Sequence, residues 1–297
     1  MNRHRRRGRK TRYFVFAALA LALFWLIEIG VQATRLLGET EVAHAGGMAI
    51  TTLLDPEALR ALGALDGDFD VTSTGVVVLR AGERLYAVDP ESNEAADLAL
   101  AEVPDKFAFD TQDAMLTVAD GFLGSLAPDG TPVDGVPLAY RDARLAASVH
   151  PGAINLFGGK SGNHRLYRFL EDGSFQVLLQ TDQPLIAVAD SAHGTYAATQ
   201  GMIVRVAWPE PVVMFKAPQA PGWGPIQSVA AAGDGLIFFS TPTSVYALKD
   251  GIAVSVVNDS GGYLRLRGNL LYVLDAKRRL LYTASPASMA IFRENKA

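Results

Sequence analysis

The apolar positions of this chain fall into short runs that recur along most of its length, separated by Gly, Asp, Pro and Ser. Beyond residue 64 no long stretch repeats apolar residues at helical spacing, which excludes parallel α/β folds. One element returns throughout, an apolar strand built around a Leu, Ile or Val. It is seen in Arg84-Leu85-Tyr86-Ala87-Val88, Phe122-Leu123-Gly124-Ser125-Leu126, Met202-Ile203-Val204-Arg205-Val206 and Ser244-Val245-Tyr246-Ala247-Leu248. Its anchors Leu85, Leu123, Leu166, Ile203, Val245 and Leu281 stand 38, 43, 37, 42 and 36 residues apart. A period near forty predicts six repeated units over residues 69–293.

Each unit reads as four strands. The third is followed in several units by a hairpin signal, Asp129-Gly130, Asp172-Gly173 or Asp250-Gly251. The second strands, at 76–79, 114–118, 154–157, 236–239 and 270–274, are nearly continuous apolar runs. Such runs belong to strands covered on both faces, as inner strands of radially packed blades are. A sandwich of twenty-four short strands would be too large for one domain. The expected fold is therefore all-β: a six-bladed β-propeller of four-stranded antiparallel blades. Ahead of it, Asp55-Pro56-Glu57 followed by Ala58 to Leu65 predicts a short capped helix, and residues 48–54 a strand whose part in closing the ring stays open.

The beginning of the chain has another character. Seven basic groups (Arg3, Arg5, Arg6, Arg7, Arg9, Lys10 and Arg12) precede residues 13–31, an apolar stretch interrupted only by Glu28. Nineteen residues match a membrane-crossing helix. We read Tyr13, Trp25 and Val31 as marking a retained single-pass anchor, with a cleaved signal peptide as the competing reading. The positive-inside rule puts the Arg-rich end in the cytoplasm, so the propeller is expected on the extracytoplasmic or periplasmic side of the inner membrane. The expected organisation is a basic tail (1–12), the transmembrane segment (13–31), a connector with a short helix (32–68), the propeller (69–293) and a tail (294–297).

Composition adds three exclusions. The chain is 49% hydrophobic and 20% charged, which excludes disorder. It has no cysteine, which removes disulfides, thiolate metal sites and Cys nucleophiles. Its net charge is −4, and setting the seven amino-terminal cations aside leaves −11 on residues 13–297, a poor balance for nucleic acid.

The phrases Ile186-Ala187-Val188-Ala189-Asp190-Ser191-Ala192-His193-Gly194-Thr195-Tyr196 and Arg165-Leu166-Tyr167-Arg168-Phe169-Leu170-Glu171-Asp172-Gly173 resemble blades of the NHL, TolB-like and gluconolactonase-like propeller superfamily. The resemblance covers about residues 69–293 at the level of repeat grammar. For gluconolactonase-like enzymes it implies a Glu, an Asn and Asp residues holding a metal at the tunnel. The first strands of this chain offer Val71, Phe107, Phe109, Ala146, Ala147, Val188, Val229 and Leu264 there, and Asp190 alone carries over.

Among residues that could do chemistry, the turns after the first strands hold Asp110, Asp113, His150, Asp190, His193, Asp234, Arg267 and Asn269. Asp190 and His150 are the candidate metal ligands, imidazole and carboxylate being suited to a divalent ion, against the plainer role of turn formers. Gly158-Gly159-Lys160-Ser161-Gly162 lacks the first glycine and the following helix of a phosphate loop. No nucleophile elbow or Ser-His-Asp set assembles. On the other face, the connection 216–225 carries Trp223 among prolines, and Tyr140, Arg141 and Arg278 lie on neighbouring loops. These four form a candidate partner-binding surface.

Two functions follow. The favoured expectation is a non-catalytic accessory subunit of a cell-envelope membrane complex, with no cofactor, contacting protein subunits and the lipid bilayer but no nucleic acid. The alternative is a metal-dependent propeller hydrolase or lactonase.

Overall fold

The computed structural model describes residues 42–44, 48–100, 102–126, 130–218 and 223–286. The expected anchor at 13–31, with Tyr13, Trp25 and Val31, lies outside them. Among the described residues no helix is long and apolar enough to cross a membrane.

Six sheets, each with four antiparallel strands, form the ring. Their innermost strands are Leu65–Val71, Lys106–Phe109, Arg144–Ala147, Ala187–Ser191, Ser228–Ala231 and Tyr263–Arg267, which define blades one to six. Within blades one to four the strands pair in chain order from the axis outward, which is the expected propeller. All six repeat anchors are interior: Leu85, Leu123, Leu166, Ile203, Val245 and Leu281 expose no more than 3% of their surface. They are buried because every blade packs both faces on its neighbours. Six apolar clusters result, one at each joint; that between blades four and five, for example, joins Phe215 to Phe239 and Tyr246. The Asp250-Gly251 hairpin has φ of 51° and 80°, the positive pair that a two-residue turn between twisted strands requires and that Asp and Gly tolerate.

The ring is closed by the early part of the chain. Blade six takes three strands from the carboxy-terminal side, Tyr263–Arg267, Leu270–Asp275 and Leu280–Ala284, and its outermost strand from Ile50–Leu54. The strand Val42–His44 runs parallel to Ile252–Asn258 and adds a fifth strand to blade five. Between the closing strand and blade one comes the helix Pro56–Leu62. Asp55 caps it, its Oδ1 accepting from the Glu57 and Ala58 amides at 3.0 and 2.8 Å, and Leu59 is fully buried beneath. Leu54, 3% exposed, sits in the cluster that joins blades six and one. Leu54→Ala should therefore cost about 2–4 kcal/mol in denaturant unfolding, because it leaves a cavity at the closing joint. A cost below about 1 kcal/mol would show that this strand does not hold the ring.

Candidate active site

The inner strands all run in the same direction along the axis, so their first residues share one mouth of the central channel. In five blades the innermost pair of strands is in regular register. Blade one alone slips, between Leu65 and Phe69, and the slipped residues are Asp66-Gly67-Asp68. A bulge of this kind re-aims side chains that a regular strand would alternate between faces. Gly67 makes the bulge possible: its φ is 87°, and a Cβ there would fall 2.0 Å from the Tyr263 ring.

The mouth is a cavity of about 110 Å³. Asp66, Asp68, Lys106, Arg144, Gln227 and Arg265 supply its polar wall, and Phe69, Phe107, Ala146 and Val188 its apolar floor. Most of the charges here are matched in pairs. Asp68 is ion-paired with Lys106 across the joint between blades one and two. Burial raises the Asp68 pKa above the ordinary aspartate value, and the Lys106 hydrogen bond and charge pull it the other way. Arg80 Nε lies 3.4 Å from Asp66 Oδ2. Deeper in, Arg265 Nε approaches Asp70 Oδ1 at 3.3 Å, and its guanidinium lies 5.2 Å from the centre of the Phe69 ring. That ion pair is not aligned as a hydrogen bond, so Asp70 Oδ1 has no donor although Asp70 is 1% exposed. Its other oxygen accepts the Phe109 amide at 2.7 Å. Arg265 also borders a smaller cavity beyond, together with Ala146 and Val188.

The ligand and partner candidates read from sequence do not line this mouth, though Asp190 borders the smaller axial cavity beyond it. Asp190 stands near the far end of its strand, with its side chain 2% exposed and 2.8 Å from Arg168 Nη2. Ser148 Oγ and Thr195 Oγ1 each donate to it at 2.8 Å. Its oxygens are thereby committed to pinning blade three to blade four. His150 and His193 are exposed in turns at that same far end. Asp110 accepts the amides of Gln112 and Ala114 as a turn former, and Asp113 accepts from Ser73 of blade one. Trp223 packs on Tyr246 and Phe215 with ring centroids 4.9 and 6.1 Å apart, covering the joint between blades four and five. Tyr140 lines an apolar cavity of about 210 Å³ with Leu156, Tyr167 and Phe175. Arg141 and Arg278 are exposed.

A metal does not fit this site. Among the described residues no three His, Asp or Glu side chains come close enough to hold one. The cavity's two carboxylates already have cationic partners, and Asp190 is held by Arg168.

No protein-family model matches the chain, and no curated protein matches its sequence. Solved structures do. A gluconolactonase from Xanthomonas campestris is 16% identical with a TM-score of 0.60, covering 80% of this chain and 89% of its own. Regucalcin, a calcium-binding protein from Agrobacterium tumefaciens strain C58, is 13% identical with a TM-score of 0.62, covering 82% and 95%. A luciferin-regenerating enzyme is 10% identical with a TM-score of 0.59, covering 82% and 96%. The expectation of a non-catalytic accessory subunit is corrected here. It rests on the anchor, the apolar first strands and the lack of a catalytic set; the apolar residues Phe107, Ala146 and Val188 do line the channel, but its mouth is also charged, and similar propellers include enzymes. At these identities the likeness is one of fold: the chain is a six-bladed β-propeller similar in fold to gluconolactonase and regucalcin.

Proposed function

We propose that the protein is a propeller hydrolase acting on a small lactone or ester in the axial cavity, with Asp68 and Lys106 as its catalytic pair. The observation that carries this reading is the blade-one bulge, which sets Asp68 beside Lys106 on the cavity wall with its pKa raised by burial. A raised pKa makes a carboxylate a better proton acceptor, and perturbed groups in a cleft mark functional sites.

The chemistry balances without a metal. Asp68 takes a proton from water as the water oxygen bonds to the substrate carbonyl carbon. Lys106, which has three donors, hydrogen-bonds the oxyanion that forms. The carbonyl re-forms as the C–O bond breaks, and the Asp68 proton passes to the departing alkoxide, leaving a hydroxy acid or an alcohol and an acid. Similar solved structures named as a gluconolactonase and a luciferin-regenerating enzyme support small-molecule chemistry on this fold. The apolar stretch at residues 13–31, behind its basic tail, supports the further proposal that this ring works outside the cytoplasm.

The test is hydrolysis of a panel of γ- and δ-lactones and aryl esters by the full-length protein, followed by pH-stat. Turnover of at least one is expected, and no turnover of any overturns the proposal. Incubation with EDTA should leave the rate within about twofold. A rate lost to EDTA and restored by a divalent ion would overturn the metal-free mechanism, because this mechanism draws only on carboxylate and ammonium groups.

A further inference from the structure

Arg144 carries the one charge in the cavity wall that has no counterpart there. Asp66 faces Arg80, Asp68 faces Lys106, and Asp70 faces Arg265. Arg144 opens the inner strand of blade three and lines the cavity, yet no carboxylate lies within ion-pair distance of it among the described residues. Among the described residues its one hydrogen bond runs from Nη1 to the Ile186 carbonyl at 3.2 Å. That bond ties the side chain across the joint between blades three and four and leaves the rest of the guanidinium's donors for another acceptor.

From this we infer that the ligand of the axial cavity bears a free carboxylate, bound by Arg144. The inference rests on the hydrolase reading for the reaction but not for the binding. A guanidinium presents parallel N–H groups that match the two oxygens of a carboxylate, and an already tethered side chain loses little freedom on binding. Gln227 and Tyr263, neutral polar groups of the same wall, can serve the uncharged part of the molecule. A volume of about 110 Å³ sets the scale at a small ring or short chain, since a 150 Å³ cavity accommodates benzene. The substrate class is then a lactone or ester of a small dicarboxylic acid, its ester carbonyl at Asp68 and its free carboxylate at Arg144.

Two measurements on the full-length protein separate this from the hydrolase reading. The first compares kcat/KM for 5-oxooxolane-2-carboxylate with that for its methyl ester. The wild type should favour the carboxylate at least tenfold, and R144A should lose that ratio through KM. R144K, which keeps the charge but not the fork, should lie between. The second is calorimetric binding of 2-hydroxyglutarate, the product of that lactone, with affinity falling as salt rises and at least tenfold weaker in R144A. Binding that needs Arg144 without hydrolysis of any lactone keeps this inference and removes the hydrolase. Hydrolysis with equal kcat/KM for the charged and neutral substrates, or 2-hydroxyglutarate binding unchanged in R144A, overturns the inference and leaves the hydrolase standing.

Discussion

Asp68→Asn should lower kcat for the proposed hydrolysis by about 10²–10⁴-fold, the usual contribution of a positioned general base. Asparagine keeps the shape and loses the proton-accepting oxygen, so 2-hydroxyglutarate should still bind. The pH profile distinguishes this role from a structural one. Activity needs the Asp68 carboxylate ionised, so it should fall on the acid side with a midpoint above the ordinary aspartate pKa. The hydrogen bond and charge of Lys106 hold that pKa down against burial. Lys106→Met removes both, so the pKa rises further and the acid limb must move to higher pH as kcat drops. A limb that stays in place, or an Asp68→Asn enzyme with full kcat, would assign the base elsewhere.

Asp190→Ala should cost about 3–5 kcal/mol, because it strands the buried Arg168 guanidinium without its 2.8 Å partner. For a domain of this size the melting temperature should fall by roughly 10 °C. The double variant Arg168→Met, Asp190→Leu should recover much of that loss, since it removes the stranded charge and restores packing. Differential scanning calorimetry measures both. A single variant within about 1 kcal/mol of wild type would show that the pair does not hold blades three and four together.

The ring was legible because its signal is local. Each anchor from Leu85 to Leu281 is buried for the same reason, so the same short phrase returns at each turn of the ring. Ring closure was not legible, since Ile50–Leu54 pairs with a strand more than two hundred residues away and nothing in its own residues names that partner. The site was hidden more deeply. Asp68, Lys106, Arg144, Gln227 and Arg265 come from five different blades, and each alone reads as an ordinary charged or polar residue. Asp66-Gly67-Asp68 falls at the end of the expected connector; only the slipped pairing reveals it as a bulge inside a strand. The turns that hold the candidate metal ligands lie at the opposite mouth. There Asp190 has the oxygens of a ligand, but Arg168, from the third strand of another blade, occupies them. Trp223 drew notice as an aromatic among prolines, but its ring also fills a gap between Phe215 and Tyr246.

The shared sheet of blade six has a consequence for synthesis. Ile50–Leu54 leaves the ribosome long before Leu280–Ala284 exists, and at about 5–20 residues per second that interval lasts on the order of 10–50 s. During it the nascent chain holds a strand whose partner has not yet been made, so blade six stays incomplete until the last strands appear. The vacant edge of the last sheet then accepts whichever matching strand arrives first, its own or that of a second nascent chain on the same messenger. The helix Pro56–Leu62 follows the closing strand immediately and buries Leu59 in the joint it completes, so it shortens the reach between strand and slot. Short reach raises the effective concentration of the chain's own strand over any competitor's and favours a monomeric ring over exchanged pairs.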